Sequence, residues 1–182
     1  MEETHRIANK YFDTIYQRWP IVSKARFLER LPYLFFKPRA DFTLLCLSIH
    51  LLLQYPTPND LSMQSSLYVT IKNAISLLES TSFLTLEVVQ ARLLVTFYEV
   101  GHGIEPGASI SIAAAAKTAR MLGLNKKQFQ QRKADPAAKI VAEEEKRVWW
   151  AAVNLDRYAT TLTLHLLPFL DPKRGLEVFT KR

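Results

Sequence analysis

The sequence predicts an all-α protein, an irregular bundle of about six to seven helices, and three observations carry that prediction. Glycine is scarce, at 5 of 182 residues, while leucine and alanine are abundant, a composition that favours helices over strands and tight turns. Apolar residues recur at steps of three and four along most of the chain, and no run alternates strictly enough to read as a strand. Residues suited to capping and stopping helices stand at the ends of those periodic stretches. With 48% apolar and 23% charged residues, residues 1–182 read as one helical domain, large enough to bury roughly 70% of its unfolded surface.

Residues 6–19 place Ile7, Tyr11, Ile15 and Trp19 at steps of four, one side of an amphipathic helix that Pro20 stops. Ser23 stands where it can cap a short second helix carrying Phe27, Leu28 and Leu31. Pro32 and Pro38 bracket a connector, and Asp41 reads as the N-cap of a strongly apolar helix ending near Tyr55. Pro56-Thr-Pro-Asn-Asp60 is a turn followed by a cap. The next helix runs to about Ser80, with Leu67, Ile71, Ile75 and Leu78 on one stripe. Thr85 caps another, and Glu87 in its first turn complements the helix dipole. That helix reaches Val100, where Gly101 supplies the stop.

Gly101-His-Gly-Ile-Glu-Pro-Gly107 turns the chain into a helix over 108–122, with alanine at 113–116 and Gly123 as its stop. Small side chains let neighbours approach closely, which places this helix in the middle of the packing. Residues 124–139 read as a polar, basic surface loop containing Asp135-Pro136, and a long helix follows over 140–167, ended by Pro168. Glu143, Glu144 and Glu145 precede Lys146 and Arg147 at three- and four-residue spacing, pairs worth a few tenths of a kcal/mol when exposed. Trp149 and Trp150 stand about 100° apart around the helix, so only one of them faces the deepest core. Val148, Trp149, Trp150, Leu155, Tyr158, Leu162 and Leu166 go around more than one side. That suits a helix buried on two faces, and one face left open would make an apolar patch prone to self-association.

The net charge of +7 is uneven. Residues 1–124 hold 12 basic and 10 acidic side chains, and residues 125–182 hold 12 and 7, so the excess sits in 126–133 and in Lys181-Arg182. Such a cluster reads as a solvated loop and tail able to attract acidic partners or, weakly, nucleic acid. The single cysteine, Cys46, excludes an intramolecular disulfide and an all-cysteine metal site built from this chain alone. The longest apolar stretch, 44–53, is too short for a membrane span. Phosphate-loop, zinc-protease and serine-hydrolase motifs are absent. No two of the four histidines have the spacing of a helical metal site; His102 reads as a turn or capping residue and His50 as a hydrogen-bonded core residue. Asp156 and Arg157 read as a buried structural ion pair. No residue is nominated as catalytic, cofactor-binding or metal-ligating, and no enzyme is expected.

The specific signal is a set of segments in order. Gln90-Ala-Arg-Leu-Leu-Val-Thr-Phe-Tyr-Glu-Val-Gly-His-Gly-Ile-Glu-Pro-Gly107 is followed by Ala119-Arg-Met-Leu-Gly-Leu124 and then by Glu145-Lys-Arg-Val-Trp-Trp-Ala-Ala-Val-Asn-Leu-Asp-Arg157. Upstream stand Tyr11-Phe-Asp-Thr-Ile-Tyr16, Trp19-Pro-Ile-Val22 and Arg26-Phe27. Over residues 8–158 this order resembles the fungal-specific transcription factor domain, the middle homology region of the fungal binuclear zinc cluster regulators. The resemblance implies a helical module that regulates transcription in the nucleus by contacting other domains, protein partners or a small-molecule inducer. As an alternative, it is compatible with a stand-alone helical interaction module that competes with full-length relatives and does not bind DNA.

Family members bind zinc through an N-terminal six-cysteine cluster, which places a helix in the DNA major groove. Cys46 cannot substitute for six cysteines, so no cofactor and no direct sequence-specific DNA binding are expected of these residues. The pattern also departs after Arg157: His165-Leu-Leu-Pro168 stands where the family continues into a turn and further helices, and 168–182 reads as a divergent basic tail. The chain therefore reads as the first half of a larger helical domain, with self-association as one way to cover its open faces. We expect the purified chain to bind no stoichiometric zinc and to show no preference among DNA sequences. Residual DNA binding should be weak and salt-sensitive. A metal assay and competition with mismatched duplexes at physiological salt check this, and a complex specific for one sequence would overturn it.

Overall fold

The computed structural model describes residues 2–55, 63–126 and 136–170, the side chains of the last stretch as far as Tyr158. Among them the regular structure is helical: α1 Glu2–Asp13, α2 Lys24–Arg30, α3 Tyr33–Phe36, α4 Ala40–Leu52, α5 Ser66–Ser80, α6 Leu86–His102, α7 Gly107–Met121 and α8 Pro136–Leu170. A single 3-10 turn, Ile15–Gln17, follows α1. The all-α prediction holds, with α3 as a one-turn addition to the expected helices. The 56–60 turn, residues 127–135 of the basic loop and the tail beyond 170 lie outside the described residues.

α6 is the axis of the molecule, packed by α4, α5, α7 and α8. Twelve of its 17 residues are buried, so it shows no single apolar face, as expected of a helix enclosed on several sides. Val89 and Leu93 face a core shared with Tyr11, Phe12, Phe27, Phe42, Leu45, Ile112, Val148 and Leu155. Ala91, Val95 and Tyr98 face a second core with Leu44, Leu51, Tyr68, Ile71 and Ile75. Fully burying one such leucine or isoleucine is worth about 1.5–3 kcal/mol. The alanine-rich α7 was expected in the middle. It lies between α6 and α8, burying Ala108, Ala115, Ala116 and Ala119 while Lys117 and Arg120 stay exposed.

Several expected ends shift, each for a local reason. The 6–19 helix stops at Asp13, because Thr14 leaves helical backbone angles and its hydroxyl donates to the Lys10 carbonyl. Tyr11 is nevertheless fully buried, and Ile7, Ile15 and Trp19 pack against the same core. Asp41 is not the cap of α4. The cap is Arg39, extended, whose carbonyl receives Thr43 N–H at 2.9 Å, and Asp41 lies within the first turn. Gly101 does not stop α6; the helix runs on to His102 and ends at Gly103, whose φ of 63° is the left-handed angle a C-terminal stop needs. Glu105-Pro106 is cis, and Gly107 then opens α7, where an added Cβ would sit 3.4 Å from Glu99 Oε1 and from Tyr68 Oη.

α8 also differs from expectation at both ends. It begins at Pro136, a residue suited to the first helical position because no N–H is needed there. It continues through Pro168 to Leu170, so the missing N–H falls only in the last turn. Trp149 packs against the core while Trp150 is exposed, as the 100° offset predicts. Asp156 is half-buried and Arg157 exposed, so neither is enclosed as expected, and both lie past the side of α8 that carries Val148, Ala152 and Leu155.

Polar residues of α6 are buried with partners. Glu99 is fully enclosed; its Oε1 accepts from Tyr68 Oη at 2.6 Å and Lys72 Nζ at 2.7 Å, and Lys72 also donates to Ser111 Oγ at 2.7 Å. Burial, and then the Glu99 carboxylate, push the Tyr68 phenol well above its ordinary value, which keeps it a donor. Arg92 forks onto Glu79 of α5, through Nε at 2.6 Å and through Nη2. Breaking a buried pair strands its partner at about 3–5 kcal/mol. Glu99→Ala should therefore lower the unfolding free energy by about that amount, read as an earlier midpoint in urea. An unshifted midpoint would contradict the account.

Asp41 supplies a pH signature. Burial would raise its pKa, but Arg39 (Nε 3.2 Å, Nη2 2.8 Å), the Phe42 N–H at 2.8 Å and the Thr85 hydroxyl together hold it below the ordinary value. A carboxylate depressed by folding adds stability that is complete above its unfolded value of about 3.9 and is lost as pH falls through the folded value. Asp41→Asn should lower stability at neutral pH and flatten its decline below about pH 4, as measured by thermal unfolding across the acid range.

Candidate functional site: a basic cleft over a buried ionic junction

The short connection between α1 and α2 ends at Ser23, correctly placed as the residue before α2, but its hydroxyl makes no cap. Its backbone N–H instead donates to Glu144 Oε1 at 2.8 Å. The same oxygen accepts from Gln90 Nε2 at 2.8 Å, and Gln90 Nε2 also donates to the Ile21 carbonyl at 2.7 Å. Arg26 of α2 closes the other Glu144 oxygen. Glu144 was expected among exposed acid–base pairs along α8; it is buried and ties α8 to α2 and α6. Glu143 does form the exposed pair, with Arg147 Nε at 3.0 Å.

Glu87 extends the junction. Arg30 bonds its Oε1, and Arg26 Nη2 lies 3.8 Å from the same atom. Glu87 is thus held by α2 arginines as well as placed at the start of α6. Over this junction α2, α3 and α4 leave an open cleft of about 530 Å³, lined by Arg26, Arg30, Tyr33, Leu34, Lys37, Arg39, Phe42 and Glu87. The Arg30 guanidinium stands 4.7 Å over the Phe42 ring, a favourable cation–π geometry.

The cleft gathers four cations from a region whose overall balance is only 12 basic to 10 acidic. Sequence reasoning placed the positive charge in the C-terminal third, because counting over 124 residues averages a local cluster away. The available signal was Arg26 and Arg30 one turn apart, followed by Lys37 and Arg39 flanking Pro38. Of the basic cluster expected at 126–133, only Lys126 falls among the described residues.

The remaining candidates are structural. His102 Nδ1 lies 2.8 Å from the Tyr98 carbonyl with its ring 4.3 Å from the Tyr98 ring, in the last turn of α6. His50 is half-buried on α4. Burial pushes the Cys46 thiol up to about 12, so it stays protonated and a poor nucleophile. Among the described residues no group of three or more His, Cys, Asp or Glu side chains could hold a metal ion, and no helix is long and apolar enough to cross a membrane.

Residues 8–171 match the family described as the fungal specific transcription factor domain. The chain is also 33% identical over 147 residues to Transcription factor BOA15 of Botryotinia fuckeliana (strain B05.10), across 81% of this chain and 80% of that protein. No solved structure matches it. The chain belongs to the fungal-specific transcription factor domain family, a family of transcription regulators.

Proposed function

We propose that this chain is a regulatory module of the kind found in fungal zinc-cluster transcription factors, acting in the nucleus through protein partners and without a zinc cluster of its own. The observation that carries the reading is the family match over residues 8–171, which spans the whole described helical assembly from within α1 to the end of α8. The single cysteine supports the absence of a cluster within these 182 residues. In this reading the chain binds no cofactor, meets DNA only indirectly or weakly, and is no enzyme. A small-molecule inducer and a homo-oligomer are compatible with it.

The second reading is a stand-alone helical interaction module that competes with larger relatives.

The test is a tethered reporter. Fused to a heterologous DNA-binding domain in a fungal nucleus, the chain should raise or lower the reporter relative to the DNA-binding domain alone. The untethered chain, tagged with a fluorescent protein, should concentrate in the nucleus. A cytosolic chain together with an unchanged reporter would overturn the proposal. Repression of a reporter driven by a full-length relative, by the untethered chain, would favour the second reading.

A further inference from the structure

The cleft over the ionic junction has two features that a purely structural ion-pair network does not need. First, its cations are incompletely used. Glu87, Glu144 and Asp41 lie deep, with side-chain exposures of 11%, 6% and 0%. The cations lie outward of them: the Arg39 side chain is 60% exposed, and Lys37 is exposed at the cleft wall. A guanidinium offers five N–H donors. The bonds to Asp41 use Arg39 Nε and Nη2, and the bond to Glu87 uses Arg30 Nη1. Four cations over three deeper carboxylates leave the mouth of the cleft electropositive.

Second, Tyr33 in the cleft wall is uncovered, and the turn that carries it bears two more exposed aromatics. Tyr33 is 62% exposed and Phe36 78%, with Phe35 beside them, all on the single turn of α3. Three exposed aromatics in four residues make a concentrated apolar surface, of the kind that marks contact sites. None of the residues of that turn is fully buried.

From this pairing of outward cations with exposed rings, we propose that the cleft between α2, α3 and α4 docks an acidic protein segment that also carries bulky apolar side chains. Its carboxylates take the free donors of Arg39 and Lys37, and its apolar side chains cover Tyr33 and Phe36. The Glu87 carboxylate in the wall and the near balance of charge beneath disfavour a nucleic-acid backbone, which needs a longer basic track. The cleft is also open at the Tyr33 rim, unlike the enclosing pockets that hold most of a small ligand's surface. The inference names a partner for the module proposed above and rests on that reading only in taking the partner to be a regulatory protein. Binding is measured on the purified chain, separately from any reporter, so the two can fail independently.

The experiment is fluorescence anisotropy of the full chain with a labelled synthetic peptide of repeated Asp-Asp-Phe-Leu. Control probes replace Phe and Leu by Ser, replace Asp by Lys, or substitute an oligothymidylate of equal length. Saturable binding of the Asp-Asp-Phe-Leu peptide is expected, weakening as salt rises. It should weaken about tenfold in Lys37→Glu and about tenfold in the double variant Tyr33→Ala, Phe36→Ala, the range of a modest interface hot spot. These side chains are exposed, and the far-ultraviolet spectrum and melting temperature should match the parent. Hydrogen exchange of the unmodified chain gives a second readout, with peptide-dependent protection confined to residues 24–42. No binding, equal binding of the serine peptide, tighter binding of the oligothymidylate, or protection elsewhere would overturn the proposal.

Discussion

The constraint on which the fold depends is that α6 is buried on nearly every side and still carries Glu87, Gln90, Arg92 and Glu99. A buried charge without a partner costs more than most apolar contacts return, so each neighbour must arrive in the register that supplies one. α5 brings Glu79 to Arg92 and brings Tyr68 and Lys72 to Glu99. α2 brings Arg30 to Glu87. α8 brings Glu144 to Gln90, and that carboxylate is itself neutralised by Arg26. The apolar surfaces supply most of the driving force, yet they would tolerate a neighbour sliding or turning. The paired charges add a directional requirement that apolar contacts lack, because each must meet its partner at hydrogen-bond distance.

Much of this fold was legible because local rules and tertiary packing agree there. Thr85 Oγ1 accepts the Val88 N–H, as its position before an apolar run predicts. Ile71 and Ile75 lie on the buried face of α5, and Trp149 and Trp150 divide between core and solvent. The family segments were legible as well, since an ordered series of short motifs is specific even where each piece is weak. The failures occur where two residues could satisfy the same local rule. Gly101 and Gly103 are both possible helix stops, and the left-handed angle falls at Gly103. Asp41 has the chemistry of a cap, but a carboxylate inside the first turn can be held equally well by an arginine two residues earlier.

The site was less legible than the fold for a related reason. Glu144 sits in an acidic run followed by basic residues, a pattern that reads as solvated helix surface. Only the approach of Ser23, Arg26 and Gln90, separated by up to 121 positions, makes it the hub of a junction. The aromatic turn Tyr33–Phe36 lies between two prolines and has no periodicity from which to infer a face. Its exposure follows from its neighbours, since α2 and α4 supply the core residues Phe27, Phe42 and Leu45 and fill the interior on either side of it.

The junction and the cleft share the same arginines, and this limits what the cleft can accept. A ligand that drew Arg26 away from Glu144 would leave a carboxylate buried without its cation, a loss on the scale of breaking a buried pair. It would also loosen α8, because Glu144 is a polar anchor of that helix on α2 and α6. A ligand that uses Lys37 and the outer donors of Arg39 incurs no such cost. The cleft therefore discriminates by depth: an anion that approaches from the aromatic rim gains charge-assisted bonds at once, whereas one that penetrates to Arg26 must compete with Glu144 and Glu87. Charges committed to folding thus set the floor of the proposed binding surface, and Lys37 with the outer donors of Arg39 lie above them.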